Sequence, residues 1–211
     1  MARTQSFERE AVVRAAREVF WDLGFEGASV PALEDATGLR RSSIYNTFGS
    51  KRGLFDEAVQ SYLDEVIRPR LAPLRAPEVA PGAVLDYLDS LREALAREGS
   101  RPARSGCLLI NAAGAPIGHD AAVAATVAAY RAELREAIGR GIRARGGAED
   151  GAAARDRLAD AVTGLVVAAF ALVRIAPEEA SRALVTAREL ILAAAPLTPG
   201  RPGAQPAAVP R

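Results

Sequence analysis

The sequence predicts an all-α fold of two domains, a small N-terminal three-helix domain that contains a helix-turn-helix and a larger helical domain after it. Three observations predict this fold: apolar residues recur every three or four positions, strand-like alternation is absent, and two short helical patterns flank Gly38. We place the two domains at residues 1–55 and 56–195. Residues 196–211 contain five prolines, two glycines and no apolar period, which predicts a disordered tail.

The apolar spacing predicts the helices in order. The first is expected over about residues 7–23, where Gly24 ends it. The fourth begins near Ser50 and has a wide apolar stripe, as expected for a helix that contacts both domains. Prolines then recur every four residues from Pro69 to Pro81, so we predict a linker over 69–81. Further helices are expected at about 82–98, 106–115, 120–145, 153–175 and 178–195.

The second and third helices carry most of the functional information. Ser29 is suited to cap the second helix, and Pro31 lies in its first turn, where a missing N–H costs nothing. Gly38 can adopt the left-handed conformation that ends a helix. The third helix is expected from about Arg41 to Thr47.

Spacing assigns the faces of the third helix. Ile44 and Phe48 are four residues apart, so they share a face that fills the core. The other faces carry the residue types that read DNA bases or bind phosphate, namely Arg41, Ser42, Ser43, Tyr45 and Asn46. This arrangement predicts that the third helix enters the major groove of DNA.

The charge around this helix is a local patch. Arg40, Arg41, Lys51 and Arg52 are basic, and no acidic residue lies between Arg40 and Arg52, whereas the whole chain carries a net charge of +1. Such a patch alone is typical of a solvated helix face. It supports DNA binding only because it coincides with the helix-turn-helix spacing. Lys51 is the only lysine of the chain and begins the fourth helix, which suits a phosphate anchor.

The same residues resemble the TetR family of one-component transcriptional regulators. The family signature is similar to the pattern formed by Ser29, Ala36, Gly38, Leu39, Ile44, Tyr45, Phe48, Lys51 and Leu54. The resemblance covers about the first 60 residues well and the remainder only as a helical domain. It implies a homodimer that binds palindromic operator DNA, usually represses, and is released by an effector in the second domain. It also implies phosphate contacts from Ser29, Tyr45 and Lys51, and contacts to bases or nearby phosphates from Arg40, Arg41, Ser42, Ser43 and Asn46.

The last two helices suggest how two copies associate. Residues 161–173 are apolar on every side except at Thr163, and the run is too short to cross a bilayer. A helix of this kind must be covered on every side. We therefore expect a symmetric four-helix interface built from Ala161, Gly164, Ala168, Ala171, Leu184, Ala187 and Ile191. The alternative is an ordinary core helix in a monomer.

A pocket for the effector is expected within the second domain. Candidate wall residues are Tyr87, Leu91, Cys107, Ile110, Asn111, Tyr130 and Phe170, and each of them also fits plain core. If Ser105 capped a helix, Cys107 would lie in its first turn, where the dipole together with Arg101 and Arg104 would favour the thiolate. A thiol-responsive repressor that senses oxidants or electrophiles is thus an alternative, although a free cysteine is usually a small buried apolar residue.

Other functional classes receive little support. The single histidine, His119, lies beside one aspartate in a loop, which makes neither a metal site nor a catalytic triad, so we predict no cofactor and no enzyme. An enzyme using Cys107 as its nucleophile is a remote alternative, because no base is evident nearby. The near-neutral charge disfavours a protein that coats DNA nonspecifically. A single cysteine and the absence of a signal peptide or transmembrane stretch lead us to expect a cytoplasmic protein.

Overall fold

The computed structural model describes residues 2–146 and 151–194, with side chains from residue 8 onward. This part of the chain consists of helices joined by turns and has no β-strand, which confirms the predicted all-α class. The predicted tail at 196–211 lies outside it. The α-helices are α1 (Ala2–Gly27), α2 (Val30–Thr37), α3 (Arg41–Phe48), α4 (Lys51–Tyr62), α5 (Arg68–Arg75), α6 (Ala83–Ala96), α7 (Arg101–Ser105), α8 (Leu108–Ala113), α9 (Ala121–Arg145), α10 (Ala152–Leu172) and α11 (Pro177–Ala193).

Helices α1 to α4 surround a small apolar core. The backbone of α1 leaves helical geometry at Gly24, with φ 72° and ψ 174°, at the residue where the sequence predicts the helix to end. Phe20 and Phe55 are buried, and their rings meet edge to face with centroids 5.2 Å apart. Leu33 of α2 is buried in the same core, so α1 and α4 form the base on which α2 and α3 lie.

The predicted linker at 69–81 is wrong over its first half. After α4 the chain makes a single π-helical turn, Leu63–Ile67, and continues directly into α5, which contains both Pro69 and Pro73. Pro69 lies in the first turn of α5, where a backbone N–H is dispensable. The guanidinium of Arg140 donates to the carbonyl oxygens of Arg75 and Ala76 and so satisfies the end of α5. Tertiary contacts thus support a helix that local proline content disfavours.

The helix predicted at 106–115 is preceded by a further short helix, α7. The two are separated at Gly106, which has φ 64°. A Cβ atom at this position would lie 2.6 Å from the carbonyl oxygen of Phe170, so only glycine permits this approach to α10. The proposed capping role of Ser105 is wrong, because Ser105 ends α7 and its hydroxyl donates to Asp22 of α1 at 2.7 Å. Ser100 is the residue that caps α7, through the N–H of Ala103.

The remaining helices of the second domain lie close to where the sequence predicts them. α6, α9, α10 and α11 begin and end within about three residues of the expected bounds. One side of α10 is buried, including Val162, Val166 and Phe170. Thr163, its buried polar residue, donates to the carbonyl oxygen of Ala159 at 2.7 Å, so its hydroxyl is satisfied within the helix.

Candidate functional site

Helices α2 and α3 form the predicted helix-turn-helix. Ser29 is extended, and its hydroxyl accepts the N–H of Ala32 at 3.2 Å, while Pro31 lies in the first turn of α2. Gly38 has φ 70° and ends the helix in the left-handed conformation. The capping and termination predicted for α2 are confirmed.

The start of α3 depends on a residue that sequence analysis missed. Arg40 occupies the N-cap position but makes no capping hydrogen bond with its side chain. The carboxylate of Glu34 on α2 instead accepts the N–H of Arg41 at 2.6 Å. This contact joins the two helices across the turn and places a negative charge at the positive end of α3. Glu34 precedes Arg41 by seven residues, so spacing within one helix gives no sign of it.

The inner face of α3 is held by the core. Ile44 is 1% exposed and Phe48 is 9% exposed, as their spacing predicts. The guanidinium of Arg9 lies 4.7 Å from the centroid of the Phe48 ring. A Cβ atom on Gly53 would lie 2.0 Å from the carbonyl oxygen of Phe48, so Gly53 lets α4 approach the end of α3 closely. These contacts fix the direction of α3.

The outer face of α3 presents polar and basic side chains to solvent. Ser43 is half-buried, whereas the other predicted DNA-contacting residues of this segment are exposed, namely Arg40, Arg41, Ser42, Tyr45 and Asn46. The guanidinium of Arg41 lies 5.4 Å from the centroid of the Tyr45 ring. Neither Arg40 nor Arg41 forms an ion pair with a described residue, so both charges are free to meet an anionic partner.

Two further candidates lie beside α3. Ser29 is exposed at the start of α2, and Lys51 begins α4, whose N-terminus Ser50 caps through the N–H of Gly53 at 3.0 Å. The Lys51 ammonium lies 4.6 Å from the centroid of the Phe25 ring. Partial burial lowers the pKa of Lys51, and the nearby charge of Glu26 opposes that shift. Because Lys51 is the first residue of α4, its ammonium lies near backbone N–H groups that also attract anions.

The fourth basic residue of the patch has a different role. The guanidinium of Arg52 binds Asp120, at the N-cap of α9, at 2.7 Å and Asp56 at 2.8 Å. The hydrogen bond from Arg52 is the main cause that lowers the pKa of Asp120 to about 2. Asp120 also accepts the N–H groups of Ala122 and Val123 and so caps α9. Arg52 thus links the helix-turn-helix domain to the second domain.

Helix α1 makes further contacts between the domains. The indole N–H of Trp21 donates to the carbonyl oxygen of Gly106 at 3.0 Å, and Asp22 accepts from Ser105. Glu26 accepts the N–H of Ile117, in the 3₁₀ turn Pro116–His119, at 2.8 Å. The C-terminal half of α1 therefore contacts the helix-turn-helix on one side and the α7–α9 segment on the other.

A small cavity lies between α1 and α4 on one side and α5, α6, α9 and α10 on the other. Its volume is about 20 Å³. Its walls are aromatic and aliphatic apart from one charged residue, Arg70, and they comprise Trp21, Tyr62, Val66, Ile67, Arg70, Leu71, Tyr87, Pro102, Gly106, Tyr130, Leu134 and Phe170. Such a space has room for one or two waters at most, so a larger molecule requires the walls to separate.

The structure brings together only some of the predicted wall residues. Tyr87, Tyr130 and Phe170 line the cavity. Leu91 is fully buried core instead, Ile110 is half-buried away from the lining, and the side-chain amide of Asn111 donates to the carbonyl oxygen of Ser105 at 2.6 Å. The lining residues that the sequence does not reveal include Trp21, Tyr62 and Arg70, because they come from other helices that only tertiary folding brings close.

Cys107 lies behind the cavity wall. It is 0% exposed, and its sulfur lies 3.9 Å from the hydroxyl oxygen of Tyr130. Burial raises the pKa of the Cys107 thiol above its usual value, so the predicted stabilisation of a thiolate is wrong. Arg101 and Arg104 do not reach the sulfur, because they pair with Glu18 and Asp22 of α1.

The residues predicted for a dimer interface fall into two groups. Ala161, Gly164 and Ala171 are exposed along one face of α10, and Ala168 beside them is half-buried. The three residues predicted on α11 do not fit an interface with a second copy, because Leu184, Ala187 and Ile191 are buried in the core of the same chain. The exposed apolar residues of α11 are instead Val185, Leu190 and Leu192. The apolar period of α11 identified its inner face rather than its outer one.

Two further properties concern other classes of site. Among the described residues, no group of histidine, cysteine, aspartate or glutamate could hold a metal ion, and His119 is exposed in its turn. None of the helices in the described ranges is both long enough and apolar enough to span a membrane.

Comparison with known proteins agrees with this geometry. Residues 12–58, from within α1 to within α4, match the profile of bacterial regulatory proteins of the tetR family. The uncharacterized HTH-type transcriptional regulator YezE of Bacillus subtilis (strain 168) is 34% identical over 142 residues, which span 67% of this chain and 72% of that protein. The HTH-type transcriptional repressor ComR of Escherichia coli (strain K12) is 30% identical over 110 residues, about half of each chain (52% and 51%).

A solved structure extends the similarity over most of the chain. The TetR family transcriptional regulator CifR, a cysteine mutant complexed with 26-base-pair operator DNA, superposes with a TM-score of 0.68 at 30% identity. The match covers 88% of this chain and 96% of CifR. With a helix-turn-helix of this geometry, a helical second domain and a relative that is similar over more than two thirds of its length, the chain belongs to the TetR family of transcriptional regulators.

Proposed function

We propose that this chain is a repressor that binds operator DNA as a homodimer, with α3 in the major groove, and leaves the DNA when a small-molecule effector occupies the cavity. The observation that carries the proposal is the division of α3 into two faces. Ile44 and Phe48 hold one face in the core, while the opposite face presents unpaired arginine together with serine, tyrosine and asparagine side chains. Those side chains match the donors and acceptors of base edges and phosphates.

Two relatives support repression and operator binding. ComR is a transcriptional repressor, and CifR was solved in complex with double-stranded operator DNA. Under this proposal Ser29, Tyr45 and Lys51 bind phosphates and set the position of α3. Base contacts come from the side chains at its N-terminal end and outer face, namely Arg40, Arg41, Ser42, the half-buried Ser43 and Asn46. We assign DNA binding to residues 1–55 and effector binding and dimerisation to residues 56–195, with α4 running through the boundary.

The outer face of α10 supports a homodimer. Ala161, Gly164 and Ala171 are exposed there, and a Cβ atom on Gly164 would meet nothing within 4 Å, so a second helix can approach closely. Val185 and Leu192 on the neighbouring helix α11 are also exposed apolar residues. Two copies related by a two-fold axis would bury both faces and would present two α3 helices to successive major grooves.

Release by an effector follows from the position of the cavity. Trp21 on α1 and Tyr62 on α4 line it, and both helices also support the helix-turn-helix. A ligand larger than the present space must separate these walls. It therefore binds better to a conformation in which α1 and α4 are displaced, and it shifts the population away from the DNA-binding geometry.

Binding to the DNA upstream of the chain's own gene tests the proposal. Affinity for that DNA and for random DNA of equal length should be measured at two salt concentrations. We expect the upstream DNA to be preferred by about a thousandfold or more, and the preference to persist at the higher salt. Equal affinities that fall together with salt would instead indicate a protein that coats DNA nonspecifically.

The thiol-responsive alternative is less consistent with the geometry. Cys107 is fully buried and its thiol pKa is raised, whereas sensor cysteines are accessible and acidic. We expect a thiol reagent to label Cys107 only as fast as the protein opens. Rapid labelling of the folded protein that also abolishes operator binding would favour the sensor.

A further inference from the structure

The polar side chains of the cavity lining are one guanidinium, Arg70, and the phenols of Tyr62, Tyr87 and Tyr130. Arg70 is half-buried and is the only charged residue of the lining. Its positive charge partly opposes the burial that raises the pKa values of Tyr62 and Tyr87, so the guanidinium lies within electrostatic range of both hydroxyls. Burial keeps these phenols neutral, and the Tyr87 hydroxyl makes no hydrogen bond with another described residue. The Arg70 guanidinium and the Tyr87 hydroxyl are therefore available as hydrogen-bond donors.

Arg70 differs from its neighbours on α5. Arg68 and Arg75 both pair with Glu133 of α9. Arg70, in contrast, forms no ion pair or hydrogen bond with any residue in the described part of the chain. The Arg70 guanidinium can therefore bind an anion without first breaking a contact to a described residue. The cavity therefore lacks a negative charge opposite Arg70.

The rest of the lining is suited to an apolar body. The Trp21 ring packs edge to face on Tyr62 with centroids 4.7 Å apart, and Tyr130, Leu134 and Phe170 complete the walls. Carboxylate is the anion whose planar oxygens match an arginine in a largely apolar pocket, since the bond can be bidentate. A phosphate ester would bring a second charge into a space with one cation.

We propose that the cavity binds a small apolar monocarboxylic acid, with its carboxylate held by Arg70 and Tyr87 and its body between Trp21, Tyr130 and Phe170. This inference rests on the proposed function, because it names the chemical class of the effector. The present volume of about 20 Å³ is too small for such an acid, so binding moves the aromatic walls apart. Trp21 is among them, and its hydrogen bond to Gly106 joins α1 to the second domain.

Trp21 provides a direct measurement, because it is the only tryptophan of the chain. The fluorescence of the full-length protein should be titrated with phenylacetate and phenylacetamide, and with hexanoate and hexanamide. Each pair differs mainly in charge, and the two pairs distinguish aromatic from aliphatic acids. We expect a saturable change in Trp21 emission with at least one acid, at about tenfold or more lower concentration than with its amide.

Two variants locate the charge that makes this preference. Arg70→Gln should bind acid and amide within about twofold of each other, since only the acid loses a charge-assisted bond. Arg92→Gln, which changes an exposed arginine of α6 outside the lining, should keep the preference of the unmodified protein. Thermal unfolding of both variants verifies that they fold, and we expect Arg70→Gln to fold normally because Arg70 makes no internal polar contact.

Three results would overturn the inference. The first is no saturable signal with either acid up to about 10 mM. The second is equal binding of acid and amide, and the third is an unchanged preference in Arg70→Gln. The proposed function fails separately. If the unliganded protein does not prefer its upstream DNA, repression is wrong while the acid preference remains measurable. If an acid binds through Arg70 but operator affinity does not change, the ligand class stands and release by that ligand is wrong.

Discussion

At the scale of single residues, Gly53 controls how α4 meets α3. Its Cβ position is 2.0 Å from the carbonyl oxygen of Phe48, an approach that no side chain allows. We predict that Gly53→Ala lowers the free energy of unfolding by about 1–3 kcal/mol through forced backbone shifts. Urea unfolding measures this, and operator affinity should fall as well because α3 is displaced.

Gly27→Ala is the matched control for that prediction. A Cβ atom at Gly27 would meet only the Cβ atom of Leu23, at an ordinary 3.5 Å, and its φ is not positive. This variant should keep stability within about 0.5 kcal/mol. Equal effects of the two substitutions would contradict the role assigned to Gly53.

The residues of α3 and α4 also allow backbone contacts to be separated from base contacts. Tyr45→Phe removes the hydroxyl but keeps the ring beside Arg41, and Lys51→Ala removes the ammonium, so both should weaken binding to all DNA sequences alike. Arg41→Ala and Asn46→Ala should each cost about 1–3 kcal/mol on the preferred operator and relax the preference at one position. Selection from a randomised operator library measures both effects. Uniform loss from all four variants would mean that the assignment of base contacts is wrong.

Local spacing was sufficient to predict the structural roles of residues whose partners are near in sequence. The cap at Ser29 and the left-handed Gly38 depend on contacts within about four residues, and the four-residue spacing of Ile44 and Phe48 places both on one helix face, so the sequence predicted each of them. Arg70 was missed, and so was the contact between Glu34 and Arg41, because those roles arise only when separate helices meet.

At the scale of helices, the junction between α4 and α9 depends on the ion pair of Arg52 and Asp120. The pKa of Asp120 is lowered from 3.8 to about 2, so its charge stabilises the fold above about pH 4, and that contribution is lost as the pH falls toward 2. We predict that Asp120→Asn, which can still cap α9, is less stable than the unmodified protein at pH 7. The difference should shrink between pH 4 and 2.

Urea midpoints at several pH values measure this difference. Asp120→Ala serves as the comparison, because it removes the N-cap as well as the charge and should be the less stable variant at every pH. A difference between Asp120→Asn and the unmodified protein that stays constant from pH 7 to pH 2 would show that charge is not the cause.

Helix prediction failed where proline content was the main signal. Four prolines between 69 and 81 predict a linker, yet α5 forms because Pro69 occupies its first turn and Arg140 of α9 satisfies its end. The preceding π-helical turn changes the direction of the side chains that follow, and Arg70 reaches the cavity wall from there. A local pattern contains no information on the arginine that stabilises such a helix from 65 residues away.

At the scale of the whole molecule, the free charges set the salt dependence of DNA binding. Arg40, Arg41 and Lys51 form no ion pair with a described residue, whereas Arg52 is held by two carboxylates. If all three cations of each protomer in the proposed homodimer reached phosphates, about six would be neutralised, so we predict a slope of log affinity against log salt no steeper than about −5.4. Affinities measured over a series of salt concentrations give this slope.

Two variants test which cations contribute. Lys51→Ala should make the slope shallower by about 2, one ion for each protomer, whereas Arg52→Gln should leave it unchanged although it weakens the junction. A slope much steeper than the predicted value would mean that other arginines reach the DNA.

The two-domain, all-α organisation of the molecule was predictable, since helical spacing extends through most of the chain. The faces that we propose to lie between two copies were only partly predictable from the sequence. On α10 three of the four predicted small residues are exposed, but on α11 the regular apolar period marks the side buried against α10 and α6. Period alone does not distinguish a face covered by the same chain from one left for a partner.

The ion pair between Arg52 and Asp120 has a consequence that a genetic screen can detect. Lys51 and Arg52 are adjacent in the chain. We propose that Lys51 binds a phosphate of the DNA, whereas Arg52 forms an ion pair with Asp120 at the end of the turn before α9. A change in the conformation of that turn would move Arg52 and, through the peptide bond that joins them, Lys51. A screen for mutants that express the controlled genes constitutively should therefore recover changes at Ile117 to Asp120 alongside those in α3, although the turn lies about 70 residues further along the chain.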